Sequence, residues 1–142
     1  MSMEENVELI RACFEQQGIS FDKGLTCCSD SLKIYKEILN IAVETYGEKS
    51  IKLKQFYEAK DYSNYMIEIH GLKSSMRLLG ALELGDLAEQ QELSIKQKRE
   101  SFIEETYHEM LNRYYQLTLG IYETLATYGW LREGNILGEK QI

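Results

Sequence analysis

The sequence predicts an all-α protein, an up-down antiparallel four-helix bundle with an additional short N-terminal helix packed on one end. Three observations carry this. The 142 residues contain no proline, so nothing interrupts helical hydrogen bonding. Apolar residues recur at three- and four-residue steps through most of the chain. The periodic segments are separated by short polar or Gly-containing connections, which favour antiparallel neighbours.

The elements follow in order. Residues 4–17 predict a short amphipathic helix with Val7, Ile10 and Phe14 on one side and Gly18 as its stop. ISFDKGLTCC reads as a loop, with Asp30 or Ser31 capping the next helix. That helix runs to about Tyr46, burying Leu32, Tyr35, Leu39, Ala42, Val43 and Tyr46, and Gly47 is expected to end it. Ser50 is expected to start a short helical piece carrying Leu53 and Phe56. Asp61 caps a helix that ends at Gly80. A helix over about 82–97 buries Leu84, Leu87 and Ala88, and its basic end, SIKQKRE, complements the helix dipole. Ser101 and Glu104 form a capping box for a last helix of about 28 residues, roughly 40 Å long. Its core stripe is Ile103, Tyr107, Met110, Tyr114, Leu117, Ile121, Leu125 and Tyr128. The tyrosines read as core, and His108, beside the stripe, as a surface residue. Residues 1–129 form the single domain, and 130–142 a loose tail.

Composition narrows the function classes. The formal charge of −7 argues against nucleic acid and anionic membrane surfaces as partners. No stretch is long and uncharged enough to span a bilayer, and the N-terminus is acidic, unlike a signal peptide, which predicts a cytoplasmic protein. Cys13, Cys27 and Cys28 lack framework spacing and read as reduced structural thiols. With two histidines and no CxxC, a metal site is not expected.

The stretch with chemical content is residues 61–92, DYSNYMIEIHGLKSSMRLLGALELGDLAEQQE. Measured from His70 at 100° per residue, Tyr65, Leu72, Met76 and Leu79 lie within about 60° of the opposite side, with Ile69 on the shoulder. Met66, Ser74 and Arg77 fall within about 40° of His70, and Lys73 and Ile67 within about 60°. The core stripe therefore points one way and His70 the other. Neutral imidazole is a nucleophile, and a phosphoryl group on it carries roughly two negative charges. Lys73, with its Cβ about 5–6 Å away, is placed to pair with that charge, as is the longer Arg77. Ser74 is small, which leaves room for another protein's surface beside the ring.

The run HGLKSSMRLLGALELGDLAEQQE resembles the signature of the histidine-containing phosphotransfer domain of bacterial two-component phosphorelays. The match is carried by His70, Leu72, Lys73, Ser75, Leu79, Gly80, Ala81, Leu84, Leu87, Ala88 and Glu92. FDKGLTCCSDSLKIYKEIL and IKLKQFYEAKDYSNY extend the likeness upstream, over most of the chain. Two positions depart from the pattern: Ser74 stands where glycine is usual, and Gln91 where leucine is. The second predicts a wetter or shorter contact for its helix. The resemblance implies that His70 takes a phosphoryl group from a receiver-domain phosphoaspartate and passes it to another receiver's aspartate. It implies as partners response-regulator receiver domains and a hybrid sensor histidine kinase, with Mg²⁺ on the receiver and no cofactor on this chain, which is expected to be a monomer. Lys73 would serve the transfer, Arg77 and Ser74 would neighbour the phosphate, and Met66, Ile67, Gly71 and Ser74 would form the docking surface. No Gly-rich nucleotide loop is present, so autonomous kinase activity is not expected.

Two other readings compete. A non-catalytic bundle would use the same surface only to bind signalling partners, but the intact His70 and Lys73 argue against it. An acid–base or hydrolytic enzyme would need a positioned partner for His70. Ser74 lies one turn on, but no orienting acid shares that face, and Glu68 points to the far side.

Overall fold

The computed structural model describes residues 6–137. They form an all-helical chain of six α-helices: α1 (Val7–Gln16), α2 (Phe21–Cys27), α3 (Leu32–Glu58), α4 (Tyr62–Leu79), α5 (Leu82–Lys96) and α6 (Ser101–Thr127). Helices α3 and α5 each pack against both α4 and α6, so these four close a ring of contacts. α2 touches α1, α3 and α4, and α1 also packs on α6. The expected helix over 4–17 begins at Val7 among the described residues, and positions 4 and 5 lie outside them.

Cross-helix pairs run in opposite directions along neighbouring helices. Tyr35 Oη donates to the Leu79 carbonyl at 2.7 Å, whereas Tyr57, near the far end of α3, lies 6.5 Å from Tyr65 near the start of α4. Tyr57 also stacks on Tyr107 at 3.6 Å, while Tyr46 meets Tyr114 at 4.8 Å. The aromatic stripe of α6 is core, as its spacing predicts: Tyr107 and Tyr114 are buried. His108 is exposed, with its ring edge against Tyr107.

Four local expectations change. Residues 21–27 are helical, not loop, because Ser20 caps them by accepting from the Lys23 amide at 3.2 Å and Phe21 is fully buried. Gly24 is what lets this helix close on α4: a Cβ there would stand 2.5 Å from the Leu79 carbonyl oxygen. Gly47 does not end α3, which is continuous to Glu58. A mid-helix glycine costs only about 1 kcal/mol. Here Val43, Tyr46, Ser50 and Leu53 stay buried on one face across it, and Ser50 back-bonds to the Gly47 carbonyl instead of starting a helix. Helix α6 begins at Ser101 with Glu100 as its N-cap and no side-chain cap, so the capping box does not form.

The fourth change concerns the segment after α6. Residues 130–137 are not loose. Trp130 is fully buried and 6.3 Å from the Phe21 ring. Asn40 donates to the Trp130 carbonyl at 3.0 Å and accepts from the Arg132 amide at 2.7 Å. Asn135 donates to Asn40, and Arg132 pairs with Glu37 and Glu44. A buried asparagine on α3 thus supplies the partners that a polar-looking tail needs in order to dock. Residues 138–142 lie outside the described residues.

Candidate functional site

The placement of His70 begins with the two ends of α4. Asp61 caps it, accepting from the Asn64 amide at 3.3 Å. Gly80 ends it in the left-handed region at φ 100°, with the Ser20 amide donating to its carbonyl at 2.9 Å. A Cβ at Gly80 would lie 2.1 Å from the Ser20 carbonyl oxygen, so both the backbone angle and the close approach require glycine. Between these ends Tyr65, Ile69, Leu72, Met76 and Leu79 are buried. His70 is held on the opposite side with its side chain 63% exposed.

The ring is not free. Its Nδ1 lies 2.8 Å from Oε2 of Glu92, which reaches across from α5 and is itself buried, with 7% of its side chain exposed. The other carboxylate oxygen, Oε1, accepts from Lys73 at 3.3 Å and from Lys96 at 3.1 Å. Burial, the largest influence, pushes the Glu92 carboxyl up; hydrogen bonds from His70, Lys96 and Lys73, with the Lys73 charge, outweigh it and hold the group down at about 2. Glu92 is therefore an acceptor at neutral pH, and the proton of the hydrogen bond belongs to Nδ1. In the neutral ring this leaves the lone pair on Nε2, for which no described residue is a partner. The geometry yields an exposed imidazole fixed in one tautomer, with a buried acid behind it and two lysines paired with that acid.

No orienting acid shares the His70 face of α4, as expected, yet an acid from outside α4 serves the ring. The residue comes from the next helix, and the sequence does carry a signal for it. His70 lies ten residues before Gly80 and Glu92 twelve after it, so an antiparallel hairpin turning at Gly80 brings them level. From the sequence alone, Lys96 reads only as a cation that complements the helix dipole. Glu68 takes no part in the site.

The Gln91 departure has the opposite effect to the one expected. Gln91 is fully buried. Tyr65 Oη donates to its Oε1 at 2.8 Å, and its Nε2 donates to Thr106 Oγ1 at 2.8 Å. Burial pushes the Tyr65 phenol well up, so it stays a donor. This bridge ties α4, α5 and α6 together directly beside Glu92.

The remaining site residues divide. Lys73 belongs to the cluster. Arg77 does not: its guanidinium is held by Asp86 at 2.9 Å and Glu89 at 2.6 Å, so it braces α5 and is not poised beside the ring. Ser74 is exposed, Ile67 is 64% exposed, and Met66 and Gly71 are partly buried. A Cβ at Gly71 would meet nothing within 4 Å, so no packing within the chain demands glycine there. Among the described residues no His, Cys, Asp and Glu group is placed to hold a metal ion, and no helix is long and apolar enough to cross a membrane. The three cysteines are free thiols, Cys27 exposed and Cys28 buried. Compared with known proteins, the chain matches no family model, no curated protein and no solved structure.

Proposed function

We propose that this chain is a phosphorelay intermediate of the histidine-containing phosphotransfer type, with α3–α6 as an up-down four-helix bundle and α1 and α2 packed on it. The observation that carries the reading is the 2.8 Å contact between Nδ1 of the exposed His70 ring and the buried Glu92 carboxylate, which assigns the ring proton to Nδ1 and leaves Nε2 as the nucleophile. Nε2 attacks the phosphorus of a phosphoaspartate on a receiver domain. The N–P bond forms, the acyl P–O bond breaks, and the aspartate leaves as a carboxylate. The ring becomes a phosphoimidazolium whose positive charge Glu92 stabilises through the retained Nδ1–H, much as a triad acid serves its histidine. Transfer onward to a second aspartate reverses these steps.

Such chemistry asks for positioning and charge neutralisation more than for a pocket. With Glu92 ionised, Lys73 and Lys96 leave the cluster one positive charge in excess, which suits an arriving phosphoryl group. Mg²⁺ and the acidic cluster would come with the receiver. Ile67 supplies one exposed apolar contact near the ring, and the small Ser74 and the open space over Gly71 leave room for a partner's surface to approach. The alternative, a non-catalytic interaction bundle, has no use for a tautomer-fixing buried acid. The test is incubation with radiolabelled phosphorylated receiver domains. Label that enters this chain and is acid-labile and alkali-stable supports the reading; no label from any of a broad panel of receivers overturns it.

A further inference from the structure

The end of α5 carries a second surface feature that borders the His70 site through Lys96. The chain has a formal charge of −7, yet Lys96, Lys98 and Arg99 stand within four residues. Among the five arginines, Arg11, Arg77, Arg113 and Arg132 are each paired with at least one carboxylate. Arg99 has none among the described residues, its guanidinium meeting only Gln97 at 3.5 Å. Lys98 likewise has no carboxylate partner among them.

The backbone here is fixed. The Arg99 amide donates to the Ser94 carbonyl at 2.7 Å and the Lys98 amide to the Ile95 carbonyl at 3.0 Å, a Schellman turn. Its left-handed position is occupied by Lys98 at φ 59°, where glycine is the favoured residue. A cation therefore stands where the backbone alone would select a residue without a side chain. Leu93, 50% exposed, forms a ridge with a hollow on each side. One hollow is lined by Lys73, Glu92, Lys96 and Glu89, the last already paired with Arg77, and the other by Arg99 and Phe102. The ridge is thus continuous with the cluster that holds His70.

We propose that Leu93, Lys96, Lys98 and Arg99 form a docking edge for an acidic protein surface, that of the receiver domain exchanging phosphoryl with His70. This rests on the function proposed above and names the charge of the partner's rim. This chain has a formal charge of −7 and the receiver would bring its acidic cluster, so an edge on which Lys98 and Arg99 have no carboxylate partner among the described residues offsets their repulsion where the two touch. Cations of this kind act mainly on encounter, raising association rates by roughly 10- to 1,000-fold at low salt. A helix C-terminus would also favour cations for its dipole, but that role is satisfied by any one of the three and needs no partner.

The experiment compares the full chain with the double variant Lys98→Glu, Arg99→Glu and, as a charge-reversal control on α3, with Lys33→Glu. A panel of receiver domains, charged by a small acyl phosphate, serves as donor, and transfer is followed at several salt concentrations. The double variant is expected to raise KM about 10- to 100-fold, leave kcat within about twofold and flatten the salt dependence, with Lys33→Glu unchanged. The milder Lys98→Gln, Arg99→Gln should fall between. An unchanged KM and salt slope overturns the docking edge while leaving His70 chemistry standing, as does an equal effect from Lys33→Glu. Parent protein that takes no label removes both proposals. Binding of the parent, but not the double variant, to phosphatidylserine vesicles with KM unaffected overturns it in favour of a lipid surface.

Discussion

Removing the Glu92 carboxylate should change which nitrogen of His70 carries the proton, and through it the rate of transfer. Glu92 sits at about 2 against an ordinary 4.5, and it is nearly inaccessible to water. That difference corresponds to about 3 kcal/mol of folded-state stabilisation of the charged form. The folded-state value is depressed, so this stability is fully present above pH 4.5. It is lost as pH falls from 4.5 towards 2. Glu92→Gln should therefore flatten the acid limb of the stability curve between these values. It also leaves an amide oxygen able to accept from Nδ1–H. Glu92→Ala removes the acceptor altogether and strands Lys73, whose side chain is only 16% exposed. The ring is then free to take the other tautomer, with its proton on Nε2, the atom that must attack. The expected loss in transfer rate is about 10- to 100-fold for Glu92→Ala, with most of the rate kept in Glu92→Gln, in line with about 1.5–3 kcal/mol for a charge-assisted hydrogen bond. Nitrogen-15 spectra of the imidazole report the tautomer, and single-turnover labelling reports the rate. If Glu92→Ala carries its proton on Nε2 and still accepts phosphoryl at the parent rate, the carboxylate does not prepare the nucleophile and the reasoning fails.

Other outcomes follow from the same geometry. Lys73→Ala should keep its fold and lose about 10- to 100-fold in transfer rate by stopped-flow quenching; an unchanged rate would assign the phosphate's counter-charge to Lys96 alone. Ile67→Glu and Ser74→Trp should each abolish receiver binding by calorimetry with melting unchanged, since both side chains are exposed, whereas Ser75→Ala should bind as the parent does. Trp130→Ala should cost about 3–5 kcal/mol in denaturant unfolding, because the indole is fully buried against Phe21; a loss under 1 kcal/mol would mean that residues 130–137 add little to the core.

The helices that position His70 were legible because one period governs them. The stripe from Tyr65 to Leu79 fixes the phase of α4, and Asp61 and Gly80 mark its ends by local chemistry that a sequence displays. What was not legible depends on partners from elsewhere in the chain. Gly47 and Gly24 look alike as breakers, yet one is carried through a continuous helix by the buried face on either side, and the other lets α2 press against Leu79. Trp130 sits in an aperiodic polar stretch, and only the buried Asn40 on a distant helix explains why it docks. At the site, the angular position of His70 could be read from α4 alone, but the hydrogen bond that selects its tautomer spans two helices. A single-helix projection assigned Arg77 to the ring because it shares that face; Asp86 and Glu89 on α5 take its guanidinium away.

In the proposed transfer, Nε2 of His70 is the atom that carries the phosphoryl group. Phosphorus-31 and long-range nitrogen-15 correlation spectra of the protein, charged by a phosphorylated receiver domain, distinguish a phosphoryl group on Nε2 from one on Nδ1. A single phosphohistidine signal is expected, on Nε2, with the Nδ1 proton retained, and no signal in a His70→Gln protein that melts at the parent temperature. A phosphoryl group on Nδ1, or label that persists in His70→Gln, would contradict it.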